Sequence, residues 1–225
     1  MIITFSNMKG GVGKSTLCVS FSNYLASQGL PVRVYDVDRQ TTLVLARKAD
    51  LEQEPERIPL FEITEVKFEK FWLEVKNLVG QSGYTLIDMP GMYSKEVIEI
   101  LKHTDLVIIP FQYENYSMTA TGQFGSLLDT IIARNPGICL DSVYVPNRVN
   151  CTIGRKKDKE EWQLWEAAIK KVATLAPMIP DRVCMQRRST LYLNPVEREC
   201  VTPCFEFIMD RIAKMKDKGN QEDKL

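Results

Sequence analysis

Short, nearly continuous apolar runs alternate along this chain with stretches whose apolar residues recur every three or four positions. The first kind suits strands buried on both faces and the second suits helices lying against a sheet. The alternation therefore predicts an α/β fold, a mainly parallel sheet flanked by helices on both faces. Ile2–Ser6 reads as the first strand, and Lys14–Ser27 as a helix with Leu17, Phe21, Tyr24 and Leu25 on one side and Gly29 as its stop. Val32–Asp36 reads as the second strand. Phe68, Phe71, Trp72, Val75, Leu78 and Val79 then keep helical spacing up to Gly80. Tyr84–Asp88, Leu106–Ile109 and Val143–Val145 read as further strands, separated by a short helix around Val97, Ile98 and Leu101 and a longer one carrying Phe124, Leu127, Leu128 and Ile131.

Further along, Trp162, Trp165, Ile169 and Val172 form a helical stripe expected to face the core, and Met178-Ile179 is read as a last short strand. Asn194-Pro195 and Thr202-Pro203 each resemble an N-cap followed by proline at the first helical position, which predicts two closing helices. Residues 216–225 are polar and are expected to fray. With no internal repeat and no linker, residues 1–215 are read as a single domain and 216–225 as its tail.

At 225 residues the chain can bury a sizeable core. Lys plus Arg and Asp plus Glu both number 29, so no global field attracts nucleic acid, and any DNA contact must come from a local patch. Six cysteines without a CxxC pair and a single histidine, His103, argue against a zinc site. Without a signal-like opening or an apolar run of spanning length, the expected location is the cytoplasm, with reduced thiols.

Chemistry enters between the first strand and the first helix. Gly10, Gly11 and Gly13, with Val12 between them, allow a tight turn whose N–H groups and following helix N-terminus face phosphates. Lys14 can then reach the β- and γ-phosphates of ATP, with Thr16 beside it and the Ser15 hydroxyl facing Mg²⁺.

The full run Met8-Lys9-Gly10-Gly11-Val12-Gly13-Lys14-Ser15-Thr16 closely resembles the signature of the ParA/MinD family of deviant Walker-A P-loop ATPases. Within it the chain is most similar to small ParA-like partition ATPases without an N-terminal DNA-binding domain. The resemblance implies hydrolysis of ATP to ADP and phosphate. It also implies that Lys9 reaches the nucleotide of a second subunit, so that the active species is an ATP-bound homodimer. By its residues alone, Lys9 can equally be a solvated loop charge or serve its own site. Asp36-Val37-Asp38-Arg39-Gln40 resembles the family's first switch, with Asp38 orienting the attacking water and Asp36 supporting Mg²⁺. Arg39 stands where proline is usual. Asp88, at the end of Tyr84–Asp88, matches a Walker-B carboxylate that holds Mg²⁺ through water. Asn147 matches an adenine-reading asparagine, a position where a turn cap is the competing reading, and Pro180-Asp181-Arg182 resembles a late segment near the base.

The resemblance further implies non-specific DNA binding by the ATP-bound dimer, nucleoid association if DNA is bound, and a ParB-like centromere-binding partner. Arg187 and Arg188 are the first candidate phosphate contacts, followed by Arg155, Lys156, Lys157, Lys170 and Lys171. The stripe of Phe205, Ile208, Met209, Ile212 and Met215 reads as core packing, since the mixed charges after it do not suit a membrane anchor. The alternatives are MinD-like or other protein-cargo positioning, a small-molecule ligase or kinase of the superfamily, and a non-enzymatic nucleotide-dependent scaffold. An iron-protein-like reductase would need cluster-holding cysteines near Gly91, and none is present there.

Overall fold

The computed structural model describes residues 1–150, 156–186 and 189–222. Its strands are β1 (Ile2–Phe5), β2 (Val32–Asp36), β3 (Glu62–Glu65), β4 (Tyr84–Asp88), β5 (Leu106–Phe111), β6 (Asp141–Pro146) and β7 (Thr174–Leu175). They form one seven-stranded sheet in the order β3-β2-β4-β1-β5-β6-β7, every pairing parallel. The helices are α1 (Lys14–Ser27), α2 (Thr42–Gln53), α3 (Phe68–Glu74, continued by a 3-10 turn over Val75–Leu78), α4 (Lys95–Lys102), α5 (Asn115–Arg134), α6 (Lys156–Val172), α7 (Val183–Gln186) and α8 (Pro195–Glu222).

Parallel strands need crossovers, and these helices supply them on both faces. One apolar cluster lies under α1 and α8, where Leu17, Phe21, Leu25, Phe205, Ile208 and Ile212 pack on one side of the sheet. On the other, Phe71, Val97, Leu101, Phe124, Leu128 and Ile131 hold α3, α4 and α5. Pro110 is tolerated in β5 because β1 pairs with it only as far as Ile108 and then leaves the sheet, so no ladder donor is missed. No helix among the described residues is long and apolar enough to cross a membrane.

Several expectations need correction. The chain closes on one long helix instead of two. A reciprocal capping box starts α8, the Glu197 N–H donating to Asn194 Oδ1 at 2.9 Å and the Asn194 N–H to Glu197 Oε2 at 3.0 Å. Pro203 then sits inside the helix. It removes the N–H that would have met the Glu199 carbonyl, but Val201, Cys204, Phe205, Ile208 and Ile212 are all buried, and their packing carries the helix through. The same helix runs on to Glu222, so the expected tail is helical across its described part. Lys216 Nζ donates to the Tyr84 hydroxyl at 3.2 Å. The last strand is Thr174–Leu175, which pairs with Val143 and Tyr144. Met178-Ile179, read as that strand, lies just beyond it. The tryptophan stripe is only partly covered: Trp162 stacks on Tyr113 with centroids 4.8 Å apart, whereas Val172 is 86% exposed.

Candidate functional site

In a parallel sheet the loops at the carboxyl ends of the strands collect on one edge, where helix N-termini also converge. β1 lies between β4 and β5, and its carboxyl end opens into the glycine loop. The Ser6 N–H donates to the Ile108 carbonyl at 3.1 Å, after which the chain turns away. Asn7 fixes that departure. Its Nδ2 donates to the Pro110 carbonyl at 2.8 Å and to Thr121 Oγ1 at 2.9 Å, and its Oδ1 accepts from the Lys9 N–H at 3.1 Å.

Gly13 caps α1 in the left-handed region, φ 98°, without a side-chain cap. A Cβ there would come within 2.2 Å of Asn147 Nδ2, so both backbone conformation and space demand glycine. Asn147 Nδ2 donates to the Val12 carbonyl at 2.8 Å, and the Asn147 N–H donates to the Phe111 carbonyl. The residue expected to read a base is therefore also the brace that holds the glycine loop on β6, while its side chain lines the adjoining cavity. The first-turn N–H groups of Lys14, Ser15 and Thr16 have no side-chain cap or acidic residue to meet them, the arrangement in which a helix start favours an anion.

Lys14 is buried, and its Nζ donates to the Lys9 carbonyl at 3.4 Å. Burial lowers its pKa, against which the charges of Asp88 and Asp38 act. Gly91 lies over this ammonium, where a Cβ would be 3.1 Å from Lys14 Nζ. Asp88 is fully buried at the end of β4. Burial raises its pKa to about 7, the Ser15 hydroxyl and Lys14 pull it down, and Asp36 and Asp38 push it further up. The Ser15 hydroxyl reaches toward it, yet neither Asp88 oxygen completes a hydrogen bond among the described residues. A buried carboxylate with both oxygens unmet among the described residues, beside a serine hydroxyl and below the glycine turn, fits a divalent cation.

The remaining carboxylates sit on the β2 side. Asp36 is buried and its Oδ2 accepts from the Leu43 and Val44 N–H groups at 2.9 and 3.1 Å, capping α2. Burial raises its pKa while these bonds lower it. Asp38 is half-buried and its Oδ1 accepts from the Gln40 N–H at 3.0 Å. Arg39, at the position where the resemblance expects proline, forms an exposed pair with Glu69 at 2.8 Å. Among the described residues no three His, Cys, Asp or Glu side chains cluster as metal ligands, so a cation here would draw on Ser15, Asp88 and oxygens of a ligand.

Two cavities open above the loop. One of about 320 Å³ is lined by Gly13, Thr16, Asn147, Arg148, Asp181 and Met185 among others. The second, about 440 Å³, is lined by Gly10, Lys14, Asp38 and Gly91 among others, and both share Gly11, Ser15 and Thr42. Arg148 links the walls of the first, its Nη1 facing the Gly11 carbonyl at 3.5 Å and its Nε facing Asp181 at 3.8 Å. The Asn7 and Met185 contributions were not foreseen from the sequence. Asn7 could have been, as a polar residue ending an otherwise apolar strand. The ammonium of Lys9 has no hydrogen bond or ion pair among the described residues. Arg155, Arg187 and Arg188 lie outside the described residues, and Lys170 is paired with Glu166 at 3.2 Å.

The family model described as the CobQ/CobB/MinD/ParA nucleotide-binding domain matches residues 3–222. Among curated proteins, Protein ParA of Rhizobium radiobacter is 29% identical over 54% of this chain and 53% of its own length. The sporulation initiation inhibitor protein Soj of Bacillus subtilis is 28% identical over 58% of this chain and 64% of its own. The chain thus spans about half the length of the first relative and under two thirds of the second. Among solved structures, a plasmid partition protein from Borrelia burgdorferi bound to AMPPNP superposes with a TM-score of 0.69 at 17% identity, covering 95% of this chain and 98% of that one. The MinD cell division protein of Aquifex aeolicus gives 0.64 at 21% identity, covering 93% and 96%. At these identities the likeness establishes the shared fold.

Proposed function

Because the chain belongs to the CobQ/CobB/MinD/ParA nucleotide-binding family, we propose that it is a ParA-like ATPase. In this reading it binds Mg²⁺·ATP, closes into a nucleotide-sandwich homodimer, and uses the dimer to hold DNA non-specifically while partitioning a plasmid, chromosome or mobile element. The observation that carries the proposal is the Lys14 ammonium and Ser15 hydroxyl lining the cavity beside the Gly10–Gly13 turn, with the buried Asp88 carboxylate behind them and both its oxygens unmet among the described residues. The helix start and Lys14 hold the β- and γ-phosphates. Ser15 and Asp88 would hold Mg²⁺, which when bound neutralises charge on the transferring phosphoryl group. The Asn147, Arg148 and Asp181 cavity then receives the base side of the nucleotide.

Asp38 lines the phosphate-side cavity beside Lys14, and we assign it the orientation of the attacking water. Acting at the hydrolytic step, it contributes little to ground-state binding. Asp38→Ala should bind an ATP analogue within a few-fold of wild type yet hydrolyse ATP about 100-fold more slowly, trapping the dimer. Unimpaired turnover in a phosphate-release assay would remove Asp38 from this role.

The Lys9 ammonium has no hydrogen bond or ion pair among the described residues, which suits a contact made to a second subunit's nucleotide. Sedimentation of wild type should show a monomer with ADP and a dimer with a slowly hydrolysed ATP analogue, while Lys9→Ala stays monomeric in both. Identical masses in all four samples would contradict the sandwich.

Balanced net charge gives a monomer little affinity for duplex DNA, whereas a dimer places two patches on one duplex and gains about 100-fold or more through effective concentration. ATP is then the switch for DNA binding, and a ParB-like partner on the cargo resets it by accelerating hydrolysis. A salt titration of duplex binding should show affinity with the ATP analogue and not with ADP, falling by a log–log slope of about 0.9 per phosphate contacted. Absence of ATP-dependent binding at low salt would reject the DNA assignment and leave positioning of a protein cargo.

A further inference from the structure

α7 and α8 each bring one half-buried cysteine to the same place. Cys184 is the second residue of α7, and Cys200 lies one turn and a half into α8. The two thiols are near enough that Cys184 bears on the ionisation of Cys200. Both line one cavity of about 590 Å³ with Arg182 and Glu199, and both pack on the apolar cluster beneath α1 and α8. We propose that Cys184 and Cys200 are a redox-sensitive modification site, at which mild oxidation by a peroxide joins the two thiols in a disulfide that fastens α7 to α8.

The chemistry balances within the pair. One thiolate takes a hydroxyl from hydrogen peroxide to become a sulfenic acid, releasing water. The neighbouring thiol then attacks that sulfur, and a second water leaves as the S–S bond forms. Two thiols lose two electrons and two protons, and the peroxide oxygens end as water. Burial raises the Cys200 pKa, and the adjacent Cys184 and the Glu199 carboxylate add to this, while the Arg182 guanidinium beside the pair opposes them and is the group that favours a thiolate there. Cys204, one turn further along α8, is fully buried with its thiol pushed far up by burial, Cys18 is buried under α1, and Cys139 is exposed on the approach to β6.

The position of α7 gives the bond a consequence, which rests on the nucleotide-binding reading above. Met185, the residue after Cys184, is buried and lines the cavity over Gly13 and Asn147, and Asp181, just before α7, holds Arg148 against the glycine loop. Joining two neighbouring thiols by a covalent bond draws α7 toward α8 and fixes this wall, so the oxidised protein should bind nucleotide less tightly.

The test uses the whole chain, reduced and then treated with hydrogen peroxide, with thiols blocked before non-reducing peptide mapping. The expected result is a cross-linked peptide joining Cys184 to Cys200, cleaved by dithiothreitol, with a several-fold loss of affinity for an ATP analogue that reduction restores. Cys200→Ser and Cys184→Ser, each confirmed folded by its thermal melt, should show neither the cross-link nor the affinity change. Failure of wild type to give that cross-linked peptide would overturn the proposal, as would the same affinity loss in either serine variant. A cross-link with unchanged affinity would overturn the coupling to the nucleotide wall. If the reduced protein binds no nucleotide, the ATPase reading fails while the peptide map still decides the disulfide.

Discussion

Lys14→Ala should bind an ATP analogue at least about 100-fold more weakly than wild type while keeping its fold. Two charge-assisted contacts to phosphate at about 1.5–3 kcal/mol each set this scale, since 1.4 kcal/mol is tenfold in affinity. In the protein alone, Lys14 is a buried ammonium with one long hydrogen bond, to the Lys9 carbonyl at 3.4 Å, and only the charges of Asp88 and Asp38 to offset its burial, so removing it costs the unliganded state little. Its interactions are directed at what enters the cavity. Lys14→Arg should not restore binding, although it keeps the charge: the Gly91 backbone lies so near that a Cβ added there would come within 3.1 Å of Nζ, and a bulkier planar guanidinium fits that space poorly. Calorimetric titration measures both variants, with thermal melts as the check on folding. Near-wild-type affinity in Lys14→Ala would exclude the phosphate role.

The turn between β1 and α1 was legible because its instructions are local. Three glycines, two lysines and a Ser-Thr pair occupy consecutive positions between an apolar strand and a helix, and each acts through backbone geometry or a short reach. Asp88 was legible for a related reason, as a carboxylate ending a buried strand. What the sequence concealed depends on distant partners. Asn147 braces Val12 across 135 residues, and no pattern around either residue announces that bond.

Two elements were missed because their inner faces are not apolar. On α2 the buried positions are Leu43 and Arg47. Arg47 satisfies its guanidinium with Thr190 Oγ1 at 3.0 Å, the Phe61 carbonyl at 2.8 Å and the Thr190 carbonyl at 2.9 Å. A helix facing the core through an arginine leaves no hydrophobic stripe to find. β3 is an edge strand reading Glu-Ile-Thr-Glu, whose charges suit an unpaired edge and hide a strand. Pro203 misled in the opposite direction, since a local stop signal was overridden by the burial of five apolar side chains around it.

Asp88→Asn should reverse sign with ligand, stabilising the protein without nucleotide and weakening it with Mg²⁺·nucleotide. In the folded chain Asp88 has a pKa of about 7 against an ordinary 3.8, chiefly because it is buried. Between these values the folded state holds a proton that the unfolded state has released, so stability falls as pH rises from about 4 to 7 and levels off above that. At about 1.36 kcal/mol per unit, the full penalty is on the order of 4 kcal/mol at pH 8. Asparagine cannot ionise and escapes it. Burying an unpaired amide costs about 1–3 kcal/mol, but equally at every pH. The stability difference between variant and wild type should therefore shift in favour of the variant between pH 4 and 7, whatever its absolute offset. Mg²⁺ reverses the order, because a dication favours the ionised carboxylate that burial opposes; adding Mg²⁺ and an ATP analogue at pH 8 should raise the melting temperature of wild type and leave Asp88→Asn nearly unmoved. Denaturant titrations across this pH range supply the first measurement, and thermal melts with and without Mg²⁺ the second. Parallel pH profiles for the two proteins would show that Asp88 is not the buried titrating group, and equal ligand-induced shifts would take it out of the cation site.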